Sequence, residues 1–517
     1  MERKVGIVGA GLSGLIACKY VLSKGYKPTV FESRSSLGGV WTKTVETTKL
    51  QTPKQLYQFS DFLWPDSVLT DFPDQDQVLG YIQSYAQHFD LKRHIRFNSK
   101  VVAIEYNGVD EDEMAAWGMW GGTGEAFSGK GNWNITVQNP DTFSHEVHEV
   151  DFVILCLGRF SDVPNIPDFP PNKGPEAFQG EVIHAKDYIA MDYEKAANFV
   201  KGKRITVVGF QKFALDIAAE CSSVNGIEIP CTVLYKTGHW LMPDYQPWGV
   251  PLALLFLNRF SELLVQKPGQ GFLLSFLSTL LSPVRWSFSK FVESYIKWKL
   301  PLAKYGIVPK HSFLTEISSC EIATVPEHFF DRVDKGSIII KKAEAFEFCK
   351  QGVIGKGESE PIKSDLVIFA TGFRGEQKLS NIFPSPRFQE DITGSTSAIV
   401  PLYRQCVHPR IPQLAVIGFS ESISNLYTSE MRCKWVAELL DGTFKVPSIP
   451  EMVKDIMEWD EFMKRYSGSN YRRSCIGALH IWYNDQLCKD MGLNPRRKKG
   501  YIAELFEPYG PLDYTLS

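Results

Sequence analysis

A glycine-rich turn near the start of the chain constrains this fold more than any other feature of the sequence. Residues 9–14 read G-A-G-L-S-G, directly after the apolar run 4–8 and at the start of a helical pattern over 12–23. In such a strand-to-helix turn, the first glycine permits the tight turn, the second lets a pyrophosphate approach the backbone, and the third lets the helix pack on the strand. The unpaired N–H groups at the start of the helix attract phosphate. The pattern predicts a dinucleotide site made of Gly9, Ala10, Gly11, Leu12, Ser13 and Gly14.

An acidic residue and a second pair of glycines narrow the choice of nucleotide. Glu32 ends the next predicted strand and lies 18 residues after the last glycine of the turn. A carboxylate there accepts hydrogen bonds from both ribose hydroxyls and repels a 2′-phosphate, so the site suits FAD or NAD. The chain continues as E-x(5)-G-G-x-W through Gly39, Val40 and Trp41, where paired glycines let the backbone pass close to a ligand. This continuation favours FAD, although ordinary core packing also explains Trp41.

The rest of the chain repeats this organisation once. Residues 151–158 and 365–372 share the pattern D-x-V-I-x-x-x-G, and each predicts a strand buried on both faces of a parallel sheet. Between them, a second strand-helix-strand pattern covers 204–208, 213–222 and 231–235. We therefore predict an α/β fold with two Rossmann-like dinucleotide-binding domains, the second inserted into the first. The predicted ranges are 1–170 and 346–517 for the outer domain, and 171–345 for the inserted domain, with an apolar lid region at 248–300.

Composition argues against several classes of protein. The formal net charge is −3 over 517 residues, so no basic field indicates a nucleic-acid partner. The ten cysteines contain no C-x-x-C pair, so no zinc site or other metal centre is indicated, and we expect reduced thiols. Glycines interrupt the apolar run 5–22, which favours a first strand and helix over a signal peptide and indicates a cytoplasmic protein. Residues 107–132 are rich in Gly, Asp and Glu and predict a long surface loop.

Three segments resemble flavin-containing monooxygenases. Residues 178–188 fit F-x-G-x-x-x-H-x-x-x-Y, a specific signature of that family, while 38–41 and 369–373 resemble its G-G-x-W and F-A-T-G-F segments. Further similarity to the plant branch, which includes the defence-related pipecolate N-hydroxylase, covers residues 45–51, 299–313 and 488–498. The resemblance implies FAD on the outer domain and NADPH on the inserted domain, with Thr371 and Gly372 in a cofactor-binding segment.

The resemblance also implies a reaction. NADPH reduces FAD, the reduced flavin adds O2, and a C4a-hydroperoxyflavin then oxygenates a soft nucleophile. The family favours a nitrogen nucleophile, so the expected activity is N-hydroxylation of an amine, an amino acid or an alkaloid in plant specialised or defence metabolism. The expected partners are this small substrate and O2. Three alternatives stay open, namely S-oxygenation, an uncoupled NADPH oxidase that releases H2O2, and a non-catalytic flavin-binding protein.

The second glycine turn departs from the family pattern. The resemblance implies an NADPH site at Gly209, Phe210, Gln211, Lys212, Phe213 and Ala214. Gln211 replaces the middle glycine, and its side chain should hold the backbone away from a pyrophosphate. Lys212 is a candidate for a charge-assisted contact to phosphate in its place. Lys236 follows the strand 231–235, where a cation would select the 2′-phosphate of NADPH, and an ordinary exposed lysine is the equally weighted alternative.

Three further positions are candidates on shorter patterns. Counting back from F-x-D-F-x-x-P at 59–65 puts Gln51 where many relatives have a flavin-side Asn, so Gln51 is the catalytic candidate, with a solvated loop glutamine as the alternative. His184 of the family signature is expected to be structural. The apolar stretch 251–284 predicts a buried helix or an inter-domain lid more readily than peripheral contact with a membrane, such as the cytosolic face of the ER.

Overall fold

The computed structural model describes residues 2–127, 130–395, 398–468 and 474–515. The strands of these residues, in chain order, are β1 Lys4–Val8, β2 Lys27–Phe31, β3 Ile95–Arg96, β4 Lys100–Asn107, β5 Asn132–Gln138, β6 His145–Val150, β7 Phe152–Leu155, β8 Glu181–His184, β9 Ile205–Val208, β10 Cys231–Tyr235, β11 Leu241–Met242, β12 Ala323–Thr324, β13 Ile338–Lys342, β14 Phe346–Cys349, β15 Gly352–Gly355, β16 Ile362–Lys363, β17 Leu366–Phe369, β18 Gly394–Ser395, β19 Ala398–Ile399 and β20 Leu414–Val416. The α-helices are α1 Leu12–Ser23, α2 Gln75–His88, α3 Glu111–Ala116, α4 Ala185–Ile189, α5 Tyr193–Val200, α6 Lys212–Asn225, α7 Leu252–Phe256, α8 Arg259–Leu263, α9 Phe272–Leu280, α10 Ser282–Lys299, α11 Phe313–Ser318, α12 Phe329–Asp334, α13 Gly375–Ser380, α14 Pro386–Thr393, α15 Asn425–Leu440, α16 Ile449–Ser467, α17 His480–Asp490 and α18 Tyr501–Phe506.

The first sheet is built around the predicted N-terminal strand-helix-strand unit. Its strand order is β20-β7-β1-β2-β3, and every pair is parallel. The predicted bounds of β1 and α1 are confirmed. Successive side chains of β1 point to opposite faces, so Val5 and Ile7 pack with α1, whereas Val8 packs with β5 and β6. Both faces are therefore covered, which explains why β1 and β7 are almost uniformly apolar.

The second sheet confirms the inserted Rossmann-like domain and corrects its boundary. Its strand order is β13-β10-β9-β17-β8, again with every pair parallel. β17 pairs with β9 from Leu366–Ile205 to Phe369–Val208. The predicted boundary at residue 345 placed this strand in the outer domain and is wrong for it. The pattern of β17 suits either sheet equally well, and only long-range pairing decides between them.

The two D-x-V-I-x-x-x-G segments have the same role in the two sheets. Asp151 accepts a hydrogen bond from the Lys4 N–H at the start of β1, with an O–N distance of 2.7 Å. Asp365 accepts one from the Arg204 N–H just before β9, at 2.8 Å. Each aspartate precedes one central strand and ties it to the strand that leads into a glycine turn. The sequence repeat therefore reflects a repeated structural unit.

Two linkers connect the domains, and they are hydrogen-bonded to each other. One linker, 163–166, lies between β7 and β8, and the other, 371–374, follows β17. The Asn165 N–H donates to the Gly372 carbonyl at 2.9 Å, and the Asn165 side-chain amide donates to the Thr371 carbonyl at 3.1 Å. We call these two segments the paired linkers.

The prediction of a surface loop over 107–132 is wrong in part. Residues 111–116 form α3, because the Asp110 side chain caps the helix by accepting a hydrogen bond from the Glu113 N–H at 2.7 Å. Trp120 is fully buried, and its indole N–H donates to the Ile411 carbonyl at 2.8 Å. The acidic residues of this segment therefore begin a helix, and an aromatic side chain anchors the segment to the core.

The expectation of reduced thiols is wrong for one pair of cysteines. Cys320 and Cys475 form a disulfide bond, and the other eight cysteines are free. The bonded residues are 155 positions apart, so no sequence spacing marks them. The bond joins the segment after α11 to the segment before α17.

Candidate functional site

The turn between β1 and α1 has the geometry that its glycines predict. Gly9 has a φ of +104°, and a Cβ on it would lie 2.6 Å from the Cys156 carbonyl oxygen, just after β7. A Cβ on Gly14 would lie 1.8 Å from the Gly9 carbonyl oxygen, so only glycine lets α1 pack this close to β1. The N-cap residue of α1, Gly11, supplies no side-chain hydrogen bond. The N–H groups of Leu12, Ser13 and Gly14 in the first turn of α1 therefore remain available to a phosphate.

The paired glycines before Trp41 lie against this turn. A Cβ on Gly39 would lie 3.0 Å from Gly11 Cα, and Gly39 itself has a φ of +60°. The Gly38 N–H donates to the Ala10 carbonyl at 3.0 Å. Two backbone segments thus meet without side chains between them, which leaves the close approach that a pyrophosphate needs.

The side chains beyond these glycines are only partly buried. Val40 is 44% exposed, and Trp41 is half-buried, which is less than ordinary core packing would give. The Trp41 indole N–H donates to the Tyr57 hydroxyl oxygen at 3.0 Å. Burial raises the pKa of Tyr57 to about 12, so this hydroxyl stays protonated at neutral pH.

Glu32 lies beside the same turn, at the end of β2. One of its carboxylate oxygens accepts a hydrogen bond from the Ala10 N–H at 2.7 Å, and the other accepts one from the Arg34 N–H at 2.9 Å. The side chain is held at 7% exposure by these contacts. A negative charge fixed at this edge fits an adenosine without a 2′-phosphate.

A glycine outside the predicted set completes the first site. Gly418 follows β20, and a Cβ on it would lie 2.3 Å from the Ser13 hydroxyl oxygen at the start of α1. Its φ of +81° also favours glycine. The signal was present in the sequence, because 414–419 reads L-A-V-I-G-F, a third apolar strand that ends in glycine.

The second turn, between β9 and α6, repeats the first in its backbone. Gly209 has a φ of +139°, and a Cβ on it would lie 2.5 Å from the Ala370 carbonyl oxygen, just after β17. Ala214 is buried where Gly14 lies in the first turn. Gln211 is the N-cap residue of α6, and its side chain makes no capping hydrogen bond. The start of α6 therefore also keeps N–H groups available to phosphate.

Lys212, in the first turn of α6, forms an ion pair within its own helix. Its ammonium donates to one carboxylate oxygen of Asp216 at 2.7 Å, and the two side chains are 15% and 2% exposed. The other oxygen accepts a hydrogen bond from the Thr48 hydroxyl at 2.6 Å. Lys212 therefore compensates a buried carboxylate of its own helix, and its contact with a phosphate stays a prediction.

The two aromatic side chains of the second turn pack against their surroundings, one of them on Tyr235 at the end of β10. Phe210 stacks on Tyr235 with a centroid distance of 4.7 Å, and Phe213 packs half-buried against the core of the inserted domain. Lys236 follows directly and is exposed. Because β10 lies beside β9 as β2 lies beside β1, Lys236 corresponds in position to Glu32. The first site thus has an anion where the second has a cation.

Residues 45–51, which we call the strap, tie the outer domain to the inserted one. Five of its residues form hydrogen bonds to residues of the inserted domain. The pairs are Glu46 with the Tyr193 N–H, Thr47 with Glu220, Thr48 with Asp216, Lys49 with Glu327, and Gln51 with the Thr324 N–H. Asp216 and Glu220 belong to α6, the helix that begins at the second glycine turn. Burial raises the pKa of both carboxyls. Sequence patterns did not mark these two residues, since their partners are distant along the chain.

Gln51 ends the strap with a fixed side chain. Its carbonyl oxygen accepts a hydrogen bond from the Thr324 N–H of β12 at 3.2 Å. Within the described residues, its NH2 group makes no hydrogen bond to protein. The alternative of a freely solvated loop glutamine therefore does not fit, because the side chain is half-buried and oriented by backbone.

His184 and Tyr188 of the signature segment make contacts between elements. The His184 Nδ1 accepts a hydrogen bond from the Lys186 N–H at 3.1 Å, so the neutral ring donates from Nε2 to the Gly372 carbonyl at 3.0 Å. Burial lowers the pKa of His184, which favours this neutral form. The Tyr188 hydroxyl donates to the Glu220 carboxylate at 2.9 Å. These contacts agree with a structural role for His184.

A comparison with known proteins assigns the chain to a family. A family model described as flavin-binding monooxygenase-like matches residues 2–502. The chain belongs to this family. It is 42% identical over 520 residues to the probable flavin-containing monooxygenase 1 of Arabidopsis thaliana, covering 100% of this chain and 96% of that protein. It is 26% identical to the N-oxide-forming dimethylaniline monooxygenase 2 of Rattus norvegicus, covering 98% of this chain and 85% of the relative.

A solved structure supports the fold of this flavin monooxygenase. The structure of OTEMO in complex with FAD and NADP matches with a TM-score of 0.64 at 17% identity, covering 94% of this chain and 97% of that one. The enzyme is an NADPH-dependent flavin monooxygenase, and FAD and NADPH are its cofactors. The two glycine turns fit these groups, because Gly9 and Gly209 allow the same tight turn and neither helix start is capped by a side chain. The turns differ at one position, where Gln211 puts a side chain in place of Gly11.

The apolar stretch 251–284 is not uniformly buried. α7 is buried through Leu252, Leu255 and Phe256, in agreement with a core helix. α9 differs, since Ser278 is its one buried residue and Phe272 is 87% exposed. The prediction of a buried helix is therefore wrong for α9. Among the described residues, no helix is both long and apolar enough to cross a membrane.

Proposed function

We propose that this enzyme hydroxylates a nitrogen nucleophile, such as a secondary amine, an amino acid or an alkaloid. One atom of O2 forms the new N–O bond, and the other leaves as water with the hydride of NADPH and one proton from solvent. Bound FAD supplies the redox chemistry by accepting the hydride and passing two electrons to oxygen. The N-oxide-forming relative supports nitrogen over sulfur as the oxygenated atom.

The orientation of Gln51 is the observation that carries this proposal. The Thr324 N–H holds the amide oxygen, so the NH2 group is presented as a donor at the end of a strap that joins both cofactor domains. A fixed donor can hold a polar oxygen or a proton-bearing group near the reacting centre without reorganisation during the reaction. Gln51 therefore has the chemistry of a positioned amide donor.

The neighbouring aromatic side chains support exclusion of water. Trp41 and Tyr57 are hydrogen-bonded to each other beside the first glycine turn, and the Tyr57 hydroxyl stays protonated because burial raises its pKa. Together they place two aromatic rings and one protonated hydroxyl at this turn, and we propose that they form one wall of the site. Such a wall favours oxygen transfer to substrate over release of peroxide, which needs water.

The test compares product, peroxide and NADPH in one assay. The FAD-loaded enzyme is supplied with secondary amines, amino acids and thioethers under labelled O2, and N-oxygenated product should match NADPH consumed for at least one nitrogen substrate. Gln51→Leu should raise the peroxide fraction about tenfold, as expected for losing one hydrogen bond of roughly 1.4 kcal/mol, whereas Gln51→Asn should retain most coupling. The matched control is Gln55→Leu, at an exposed glutamine nearby.

Two product patterns would contradict the proposal, and a third result would exclude a role for Gln51. Product from thioethers alone would establish an S-oxygenase. Peroxide equal to NADPH with every substrate would establish an uncoupled oxidase, which is the second candidate because Gln211 replaces the middle glycine of the second turn. Equal coupling in Gln51→Leu and in wild type would exclude Gln51 from the reaction.

We also propose that α9 contacts a membrane surface from the cytosolic side. Phe272, Leu273, Phe276 and Leu280 are 58–87% exposed on a helix that carries no charge. Tyr501 on α18 is 88% exposed, and α18 packs on α8, which contacts α9. Aromatic and aliphatic side chains exposed along one uncharged helix favour the interface of a bilayer.

Flotation with lipid vesicles tests this contact. Wild-type enzyme should float with phosphatidylcholine vesicles, and Leu273→Glu with Phe276→Glu should abolish flotation. Ile227→Glu, at an exposed apolar residue after α6, is the control and should float as wild type does. Absence of flotation for wild type would contradict the proposal.

A further inference from the structure

The disulfide bond joins the inserted domain to the outer domain. Cys320 lies between α11 and β12 of the inserted domain, and Cys475 lies just before α17 of the outer domain. The bond is thus a covalent connection between the domains in addition to the paired linkers. Beside it, the Ser467 hydroxyl after α16 donates to the Ser318 carbonyl of α11 at 3.0 Å. Opening the bond would leave contacts of this weaker kind to hold the domains together here.

The surrounding backbone is shaped to accommodate the two sulfur atoms. Cys320 has a φ of +54° at the end of α11, where the Glu321 N–H donates to the Glu316 carbonyl at 3.2 Å. Glycine is the usual residue at such a helix end, so the cysteine has a less favoured backbone conformation. A Cβ on Gly477 would lie 3.2 Å from the Cys320 sulfur and 3.4 Å from the Cys475 sulfur. Glycine at 477 therefore leaves the room that the sulfur atoms occupy.

The two cysteines differ in their access to solvent. Cys320 is partly exposed, whereas Cys475 is 1% exposed and lines a narrow cavity together with Arg285. A thiolate from solution can therefore attack the Cys320 sulfur and release Cys475 as the leaving thiolate. Among the described residues, Arg285 forms no ion pair, and its guanidinium contacts the Ser318 hydroxyl at 3.5 Å and the Tyr466 ring. A cation on the wall of this cavity favours the thiolate form of Cys475.

The bond connects a segment that supports Gln51 with a segment that packs on the first glycine turn. β12 begins three residues after Cys320, and one of its N–H groups holds the Gln51 side chain. On the other side, the residues that flank Cys475 form two backbone hydrogen bonds of 2.8 Å with Glu421. Three residues before Glu421 lies Gly418, which packs on the start of α1. The closed bond therefore fixes the support of Gln51 relative to the first glycine turn.

We propose that Cys320 and Cys475 form a reversible redox switch, which hydrogen peroxide closes and a thiol of the glutathione class opens. In closing, two S–H bonds and the O–O bond of one peroxide break, one S–S bond forms, and two molecules of water leave. In opening, two thiol molecules are oxidised to their own disulfide, and the two cysteines take up the two electrons and two protons. Peroxide is also what uncoupled turnover releases, so the switch closes when coupling is poor.

Closing the switch fixes Gln51 and raises the share of NADPH that yields oxygenated product. This effect on coupling rests on the proposed nitrogen oxygenation, whereas the thiol chemistry does not depend on it. The two are therefore measured separately.

Quantifying the bond in the intact, FAD-loaded enzyme tests the thiol chemistry. The enzyme is equilibrated with rising ratios of reduced to oxidised glutathione, free thiols are alkylated, and the linked Cys320–Cys475 peptide is measured by mass spectrometry. We expect the linked peptide to be lost in excess reduced glutathione, and to return when the thiol is removed and hydrogen peroxide is added. A bond that stays closed in excess reduced glutathione, or that peroxide does not restore, overturns the proposal.

Opening the bond should also change the dynamics and the coupling of the enzyme. Backbone hydrogen exchange over β12 should rise at least about tenfold on reduction. The peroxide released per NADPH, measured after the thiol is removed, should rise with it. Cys320→Ser should match the reduced enzyme and show no further response to glutathione. The matched control is Cys349→Ser, at a partly exposed free cysteine, which should respond as wild type does.

The outcomes separate the switch from the proposed reaction. If Cys320→Ser and wild type respond equally to glutathione, or if exchange over β12 is the same in both redox states, the switch is overturned. If exchange rises on reduction and the peroxide fraction does not, the switch stands and the coupling role of Gln51 is overturned.

Discussion

Replacing Lys212 tests whether a buried ion pair holds the second glycine turn. Lys212→Met keeps the length of the side chain and removes its charge, which leaves Asp216 with the Thr48 hydroxyl as its remaining donor. Removing one partner of a buried pair costs about 3–5 kcal/mol, and the 15% exposure of Lys212 favours the lower end. We expect the free energy of unfolding to fall by about 3 kcal/mol at neutral pH.

The pH dependence of this loss follows from the carboxyl group. Asp216 can escape its unpaired charge by protonation, which costs about 1.36 kcal/mol for each pH unit above its ordinary pKa of 3.8. The destabilisation therefore has a ceiling of about 5 kcal/mol near pH 7.5 and of about 2.3 kcal/mol near pH 5.5. Lys212→Met should consequently be closer to wild type in mild acid than at neutral pH.

Urea unfolding of the FAD-loaded enzyme, followed by tryptophan fluorescence, measures these differences. The double variant Lys212→Met, Asp216→Asn removes both charges and should recover to within about 1 kcal/mol of wild type. Lys304→Met breaks an exposed pair with Asp334 and should cost less than about 1 kcal/mol. The reasoning is refuted if Lys212→Met costs no more than Lys304→Met, or if the double variant is as unstable as Lys212→Met alone.

Three further predictions concern the nucleotide sites and the C-terminal segment. Gly209→Ala puts a Cβ 2.5 Å from the Ala370 carbonyl oxygen and so displaces the turn. Reduction of FAD by NADPH, measured by stopped flow, should slow at least about tenfold, which corresponds to roughly 1.4 kcal/mol, and the FAD content should not change. Lys236→Ala should lower kcat/KM for NADPH about tenfold and leave NADH unchanged, and an equal effect on both coenzymes would refute its role at the 2′-phosphate. Glu262 on α8 accepts hydrogen bonds from the Ile481 and Trp482 N–H groups of the C-terminal helix α17, and burial raises its pKa to about 7. Its contribution to stability is therefore complete below its ordinary pKa of 4.5 and is lost as pH rises through 7. Urea midpoints should show wild type losing about 1.4 kcal/mol between about pH 6 and pH 8 relative to Glu262→Gln, and parallel profiles would contradict this assignment.

Local sequence patterns were sufficient to predict the strands and helices that begin or end at the glycine turns. The bounds of β1 and α1 could be predicted, because Gly9 and Gly14 set where the strand ends and how the helix packs. The carboxylate of Glu32 could be placed for the same reason. The position of β17 could not, because its pattern matches β7 and the choice of sheet depends on pairing with a distant strand.

For the site residues too, contacts between neighbours in the sequence could be predicted and contacts between distant residues could not. The pairing of Lys212 with Asp216 could have been found, since a cation and an anion four positions apart on a helix lie on one face. The bond from Thr48 to Asp216 joins residues 168 positions apart, and no spacing indicates it. The exposure of α9 was missed because an apolar sequence without charges does not reveal whether protein covers it.

The paired linkers limit how the two nucleotide sites can move relative to each other. The two linkers are hydrogen-bonded to each other, so the two domains can move relative to each other in few ways. Rotation of one domain about an axis through these hydrogen bonds is the motion that the linkers permit most easily. Sliding of one domain past the other would break those bonds, whereas rotation would keep them and stretch the strap instead. A change in the angle between the domains would therefore have to lengthen or break the hydrogen bonds of Thr47 and Thr48, so these two bonds oppose that rotation.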